Sequence, residues 1–136
     1  MADRVRKVDY FKTMIPNRAG QGAKAFALLK DAGVNLLAMH GFPTAGRAQV
    51  DLVPEKPGEL RRAARRLRLK LGPRKSVFLI EGDDRPGAVT GILKKLGGAN
   101  INVVAVSATR TGRRYSGLVW VKPRDVARAA RVLKAR

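Results

Sequence analysis

The chain contains an internal repeat, and this feature constrains its fold more than any other. Three pairs of segments match in the same order when the sequence is shifted by 66 or 67 residues: 17–20 with 84–87, 32–38 with 99–105, and 59–67 with 125–133. The first pair reads NRAG and DRPG, and the second reads AGVNLLA and ANINVVA. Three matches at nearly one spacing predict a duplicated structural unit. The predicted domains are residues 1–71 and residues 73–136.

Each copy shows the same order of predicted elements, which is strand, helix, strand, strand, helix. The first copy is predicted to hold strand 6–15, helix 19–32, strands 34–40 and 47–53, and helix 58–69. The second is predicted to hold strand 74–82, a helix that opens within DDRPG (83–87) and ends at Gly97–Gly98, strands 100–109 and 115–121, and helix 125–133. The order therefore repeats as β-α-β-β-α.

This order predicts an α+β fold, since two helices can cover only one face of so small a sheet. It matches a ferredoxin-like βαββα(β) unit with an antiparallel sheet and helices on one face. The final strand of such a unit is apparently missing from the second copy. Because open sheet edges invite pairing, we expect the strand at 74–82 to be shared or the edges to be covered by another subunit.

The chain is strongly basic, with 29 Lys and Arg against ten Asp and Glu and a formal net charge of +19. Such a surface attracts nucleic acid, anionic lipid or acidic partners, although a chain rich in Arg throughout explains the charge equally well. The absence of cysteine excludes disulfides, thiolate metal sites and a thiol nucleophile. No apolar run approaches the roughly 20 residues of a membrane span, and no signal-peptide pattern is present. These features predict a cytoplasmic protein without membrane attachment.

A polar turn recurs after the first strand of each copy, and the second example gathers scarce acidic residues. Backbone N–H groups at a helix start lack partners and favour a small anion such as a carboxylate. Gly20 and Gly87 permit close approach to the backbone, because neither has a Cβ atom. Asp84 and Asn17 can accept hydrogen bonds from an adjacent ammonium group. A ligand with both groups is an α-amino acid.

A structural explanation competes with this one, since Asp and Asn are also preferred N-caps. The recurrence of a second matched feature favours ligand binding. Asn35 and Asn102 each interrupt the start of an apolar strand, where an unpaired polar group costs free energy. A ligand, a turn or a neighbouring copy could supply the hydrogen-bond partner.

The segment DDRPGAVTGILKKLGGANINVVAVSAT resembles the opening half of an ACT domain, the small βαββαβ module that senses amino acids in metabolic enzymes. PNRAGQGAKAFALLKDAGVNLLAMH resembles a second, looser example. The resemblance covers most of the chain. It implies a pair of domains with a regulatory amino acid bound between them. We expect a homodimer that modulates a partner enzyme or regulator.

The resemblance also implies which residues contact the ligand. In this family the contacts come from the turn after the first strand and from the Asn that begins the second strand of the adjacent domain. The positions that match these contacts are Asn17, Arg18, Ala19, Gly20, Asn35, Asp84, Arg85, Pro86, Gly87 and Asn102. The first copy departs from the pattern at Ala19, where the family usually has Pro.

Nucleic-acid binding is the alternative function, because RNA-recognition motifs share the β-α-β-β-α-β order. Tyr115 and Trp120 lie on one predicted strand, but their odd separation points them to opposite faces. Arginines also line the second helix of each copy, on the side opposite its apolar stripe: Arg61, Arg62, Arg65, Arg66, Arg68, Arg124, Arg128 and Arg131. These residues are a solvated face or a surface for phosphates or an acidic partner.

The sequence offers little for catalysis. His40 is the single histidine, no Ser/His/Asp set can be assembled, and no zinc-ligand spacing is present. Glu81, Asp83 and Asp84 lack the further oxygen ligands that a hard cation requires. We therefore expect no catalytic residue, no cofactor and no metal ion, and we expect that the protein is not an enzyme.

Overall fold

The computed structural model describes residues 3–136, which form six strands and four α-helices. In chain order these are β1 (Arg4–Pro16), α1 (Gln21–Asp31), β2 (Leu36–Thr44), β3 (Arg47–Pro54), α2 (Pro57–Leu67), β4 (Lys75–Asp83), α3 (Thr90–Gly98), β5 (Val103–Thr111), β6 (Arg114–Val121) and α4 (Val126–Leu133). A short 3-10 helix, Pro123–Asp125, precedes α4. In this part of the chain, no helix has the length and apolar character needed to cross a bilayer.

The chain divides into two compact units. Residues 9–75 form one of them, which we call the inserted unit. Residues 3–8 join residues 76–136 in the other, which we call the flanking unit. The units follow the two copies of the repeat, except that the first residues of β1 pack with the second copy.

The inserted unit is an antiparallel sheet with strand order β2-β3-β1, covered by α1 and α2. Its core joins Phe11 and Leu52 of the sheet to Leu29 of α1 and Leu60 of α2. Phe11 pairs directly with Leu52 across β1 and β3, so both side chains point to the helical face. Both helices therefore pack on one face of this sheet.

The flanking unit has strand order β1-β4-β6-β5, covered by α3 and α4. Phe78 and Val119 are paired on β4 and β6, and both are fully buried. They pack against Leu96 of α3 and Leu133 of α4 within one apolar cluster. The two units thus repeat the same arrangement of an antiparallel sheet with helices on one face, and the predicted α+β fold class is confirmed.

The fourth strand of the flanking unit comes from the start of the chain. β1 is 13 residues long, and its first residues lie beside β4, where Val5 packs into the same cluster as Phe78. Arg136 is attached to the same stretch, since its N–H donates to the Val5 carbonyl (3.1 Å) and its carbonyl accepts from Lys7 N–H (2.9 Å). The strand shared by both units is therefore β1. The sequence-based expectation was that the strand at 74–82 is shared or that another subunit covers the edges, and the first of these is wrong.

The helix of the second copy begins later than the DDRPG segment predicts. α3 starts at Thr90, and residues 86–89 form a turn in which Thr90 N–H donates to the Gly87 carbonyl (2.9 Å). Gly87 has a φ of 70°, outside the range of a right-handed helix. The glycine therefore delays the helix and shapes the turn in front of it.

Candidate functional site

A surface cavity of about 340 Å³ opens beside the turn that follows β4. It lies within the flanking unit and is lined by Asp84, Arg85, Gly87, Ala88, Val89, Thr90, Ala108, Thr109, Arg110 and Tyr115. Three residues named from the sequence, Asp84, Arg85 and Gly87, are thus brought together around one space. Pro86 is exposed in the same turn but does not line the cavity.

Backbone amides of the turn after β4 differ in whether they have a backbone hydrogen-bond acceptor. Ala88 and Thr90 donate within the turn, to the carbonyl oxygens of Arg85 and Gly87. The amides of Gly87 and Val89 donate to no backbone acceptor within residues 3–136. They precede the first turn of α3, where helical N–H groups also lack intrahelical partners. The combination favours a carboxylate at the mouth of the cavity.

Helix capping does not explain the acidic and amide residues of the two turns. The residue in front of α3 is Val89, and no side chain donates or accepts a capping hydrogen bond there. The residue in front of α1 is Gly20, again without a side-chain cap. Asp84 and Asn17 therefore do not serve as N-caps of these helices.

The Asp84 carboxylate faces a cation of its own chain, since Arg110 Nε lies 3.5 Å from it. The Arg110 side chain is 70% exposed. An ion pair this exposed contributes at most about 1 kcal/mol, because water screens it and ordering it costs entropy. An ammonium group could therefore share or replace Arg110 at Asp84 at little energetic cost.

Arg85 lines the cavity and also binds Asp3, near the start of β1. Its guanidinium nitrogens lie 3.0 and 3.1 Å from the two oxygens of Asp3, and it also donates to the Asp83 carbonyl at 2.9 Å. The hydrogen bond from Arg85 holds the pKa of Asp3 below its usual value. Arg85 thus ties the turn to the residue that precedes β1.

The other two acids of the EGDD segment also meet arginines. Asp83 lies 3.0 Å from Arg114, and Glu81 lies 3.5 Å from Arg4. The three clustered acids therefore have two different roles. Glu81 and Asp83 bind arginines of neighbouring strands, and Asp84 is the acid that lines the cavity.

Tyr115 is a cavity residue that the sequence reasoning missed, because it was considered only as a base-stacking aromatic. Its side chain is 5% exposed and packs in the apolar cluster of the flanking unit. Its hydroxyl lies near the Asp3 carboxylate, but within residues 3–136 it makes no hydrogen bond of standard geometry. Burial, and then Asp3, raise its pKa to about 12.

Tyr115 is expected to ionise well above the usual range. Because folding favours its neutral form, its stabilising contribution is complete below pH 10.0 and is lost as the pH rises towards about 12. The measurement is tyrosinate absorbance during an alkaline titration. Tyr115→Phe should remove the later transition, and Asp3→Asn should move it to lower pH. A single transition of both tyrosines near pH 10 would contradict the assignment.

The turn of the first copy contains a glycine of positive φ, as the second does, and all four of its residues are exposed. Asn17, Arg18, Ala19 and Gly20 are all exposed. Gly20 has a φ of 85°, as Gly87 has one of 70°, and a Cβ atom built on Gly20 would meet nothing within 4 Å. The glycine is therefore required for its conformation, and the space in front of it is unobstructed.

The two predicted strand-start asparagines lie just outside the strands. Asn35 precedes β2, Asn102 precedes β5, and both side chains are exposed. The expected cost of burying an unpaired amide does not arise, so that part of the sequence reasoning is wrong. Neither residue lines the cavity beside Asp84. Each lies just before an edge strand, β2 or β5.

The structure offers no alternative centre for metal chemistry among residues 3–136, where no group of three His, Asp or Glu side chains could hold an ion. His40 lies on β2, and its ring centroid is 5.3 Å from that of Phe42.

Comparison with models of protein families and comparison with curated sequences each find no match. Solved structures do match over nearly the whole chain. Protein BT0572 from Bacteroides thetaiotaomicron has a TM-score of 0.83 at 15% identity, over 96% of this chain and 88% of that one. The ligand-free regulatory subunit of aspartate kinase from Thermus thermophilus has a TM-score of 0.66 at 13% identity, over 98% and 96%.

A second aspartate kinase regulatory subunit, from Thermus flavus, matches with a TM-score of 0.56 at 15% identity, over 98% of this chain and 94% of that one. These matches concern the fold, because the identities are low. They extend over both units, and so they bear on the duplicated architecture as a whole. The chain has the tandem ACT-type fold that its two sequence motifs predict.

Proposed function

We propose that this protein is a regulatory protein that binds an amino acid at the turn after β4 and modulates a partner enzyme, without catalytic activity of its own. The solved structures of similar fold include regulatory subunits of aspartate kinase, which supports a regulatory role. The single observation that carries the proposal is the cavity in which the Gly87 turn and Asp84 face the same space.

The cavity offers complementary groups for a zwitterion. Its volume of about 340 Å³ lies within the range of small-molecule sites, which is roughly 300–1,000 Å³. The amides near Gly87 suit the carboxylate, and Asp84 suits the ammonium group. Thr109 and Tyr115 line the remainder, and the Thr109 hydroxyl can hydrogen-bond a polar side chain of the ligand.

The proposed ligand is best enclosed when a second copy of the chain covers the outer strands. β2 and β5 each pair with one neighbour within residues 3–136, so each has an open edge. Large apolar side chains are exposed along them: Leu37, Met39, Phe42, Val104 and Val106. Open apolar edges of this kind favour association. We therefore propose a homodimer in which Asn35 or Asn102 of one copy approaches the ligand held by the other.

Charge on an outer strand should prevent this association. In a Val106→Lys variant, the exposed side chain of β5 becomes cationic and repels the strongly basic second copy. The expected result is a monomer in sedimentation velocity at concentrations where the parent chain is dimeric. Lys94→Gln, on the exposed surface of α3, is the matched control and should leave the sedimentation unchanged. A monomeric parent chain would contradict the proposed dimer.

The ligand is tested by thermal unfolding of the protein against each of the twenty amino acids. A ligand present at 100 times its dissociation constant stabilises the folded state by about 2.7 kcal/mol. Asp84→Asn should abolish this response, because it removes the charge that meets the ammonium group. Glu81→Gln, which lies outside the cavity, should retain it. A response that survives in Asp84→Asn would place the ligand elsewhere.

Nucleic-acid binding is the second candidate, and the arginine-rich surface of α2 is the observation that favours it. Tyr115 and Trp120 cannot stack on bases, because both side chains are buried and form no exposed stacking platform. Binding by α2 would instead use phosphate contacts and weaken steeply as salt rises. Tight oligonucleotide binding, without any amino-acid response, would favour this candidate over the first.

A further inference from the structure

The inserted unit contains a second cavity, of about 430 Å³, on the side of α2 that faces the segment 69–72. Its lining differs in kind from that of the turn after β4. It consists of two arginines, one backbone glycine and four apolar residues: Phe11, Arg61, Ala64, Arg65, Leu69, Leu71 and Gly72. No residue of this lining is acidic.

The two arginines are one helical turn apart on α2, so they lie on the same side of the helix. The guanidinium of Arg61 lies over the ring of Phe11, 5.3 Å from its centroid. This contact holds the cation against the cavity floor, where an aromatic face favours it. Neither Arg61 nor Arg65 forms an ion pair with a carboxylate among residues 3–136. The cavity therefore presents two uncompensated positive charges.

Apolar side chains line the cavity next to the two arginines. Phe11 and Ala64 are buried beneath the cavity, and Leu69 and Leu71 pack against the core of the inserted unit while lining the opening. A purely solvated arginine face would not enclose such surface. The arrangement suits a molecule that has an anionic head and an apolar body.

The outer wall of the cavity is fixed by hydrogen bonds, although it is not a regular strand. Leu69 N–H donates to the Ala64 carbonyl at 2.9 Å, and Gly72 N–H donates to the Lys12 carbonyl at 2.7 Å. Between them, the Thr13 hydroxyl donates to the Lys70 carbonyl at 2.8 Å. The segment is held at three points, so the cavity is formed before any ligand binds.

We propose that this cavity binds small organic anions that carry a carboxylate or phosphate and an apolar group, but no ammonium group. Arg61 and Arg65 bind the anion, and Leu69 and Leu71 contact the apolar part. An amino acid is disfavoured here, because the lining holds no acid to meet its ammonium group. The site is separate from Asp84, so its test does not depend on the proposed amino-acid response.

The test uses phenyl phosphate and benzoate as probes, with binding followed by amide NMR shifts of the full chain. We expect shifts at Leu69, Leu71 and Gly72, tighter binding of phenyl phosphate than of inorganic phosphate, and no comparable shifts with phenylalanine. Arg61→Gln and Arg65→Gln should each weaken binding by about tenfold or more, since a hydrogen bond to a charged group contributes about 1.5–3 kcal/mol.

Arg62→Gln is the matched control, because it removes the same charge from the same helix outside the cavity, and it should change affinity less than about twofold. Asp84→Asn should leave probe binding intact. Equal losses in Arg62→Gln and Arg65→Gln would overturn the proposal and show a general basic surface. Absence of shifts at millimolar phenyl phosphate in the folded parent chain would also overturn it.

Discussion

Deleting residues 3–8 is expected to unfold the flanking unit while the inserted unit stays folded. The deletion removes Val5 from the apolar cluster and exposes the edge of β4. It also removes the backbone partners of Arg136 and the carboxylate that binds Arg85. The loss should be on the order of 5 kcal/mol, which is comparable with the whole stability of a small domain. Amide hydrogen exchange, read separately for residues 9–75 and 76–136, measures it.

A single substitution in β1 tests the packing of this strand without removing it. Val5→Asp places a charge in the apolar cluster and should destabilise the flanking unit by several kcal/mol, on the order of 3. Lys7→Asp, at an exposed position of the same strand, is the control and should change stability by less than about 1 kcal/mol. If the deleted chain retained native exchange protection in residues 76–136, β1 would not be the fourth strand in solution.

Gly117→Ala is the second substitution with a large expected effect. Gly117 lies in β6, between Ile80 of β4 and Ala108 of β5. A Cβ atom there would collide with the carbonyl oxygen of Ser107 and would lie 3.0 Å from the Cα atom of Ala108. Both obstacles are the backbone of the paired strand, which can move only if the ladder opens. We expect a loss of about 3 kcal/mol or more in urea unfolding.

The control for this substitution is another glycine of the flanking unit. Gly97 lies in α3, and a Cβ atom built on it would meet nothing within 4 Å. Gly97→Ala should therefore stabilise the protein by up to about 1 kcal/mol, because alanine restricts the unfolded chain and favours the helix. Equal stability of Gly117→Ala and the parent chain would mean that β5 and β6 are not paired in this register.

The repeat carried enough information to predict the fold but not the origin of its last strand. The order β-α-β-β-α and the faces of the helices follow from apolar periodicity within each copy. The first half of β1 was harder to recognise, because Arg4, Arg6, Lys7 and Asp9 interrupt its apolar pattern. Its role as a fourth strand depends on pairing with β4, about 70 residues away along the chain. Local patterns do not specify such a distant partner.

The sequence indicated the turn after β4 as a candidate site, and a cavity lies beside that turn. Gly20 and Gly87 were named because they lack a Cβ atom, and both adopt a left-handed conformation that favours glycine. Tyr115 could not be placed there from the sequence, since its contact with the cavity depends on the register between β4 and β6, where Gly82 pairs with Tyr115. The cavity under Arg61 was missed for a similar reason. An outward helical face was expected there, whereas the segment 69–72 folds back beside it.

The position of β1 residues 4–8 in the flanking unit also determines which unit can fold first during translation. Residues 9–75 leave the ribosome together and contain everything that their own core requires. Residues 3–8 emerge before residues 76–136, which contain β4, β6 and both covering helices. Residues 3–8 must therefore remain without their partners until residues 76–136 have been made. A truncated product that lacks residues 76–136 would expose the unpaired hydrogen-bonding groups of residues 3–8, which invite pairing with other chains.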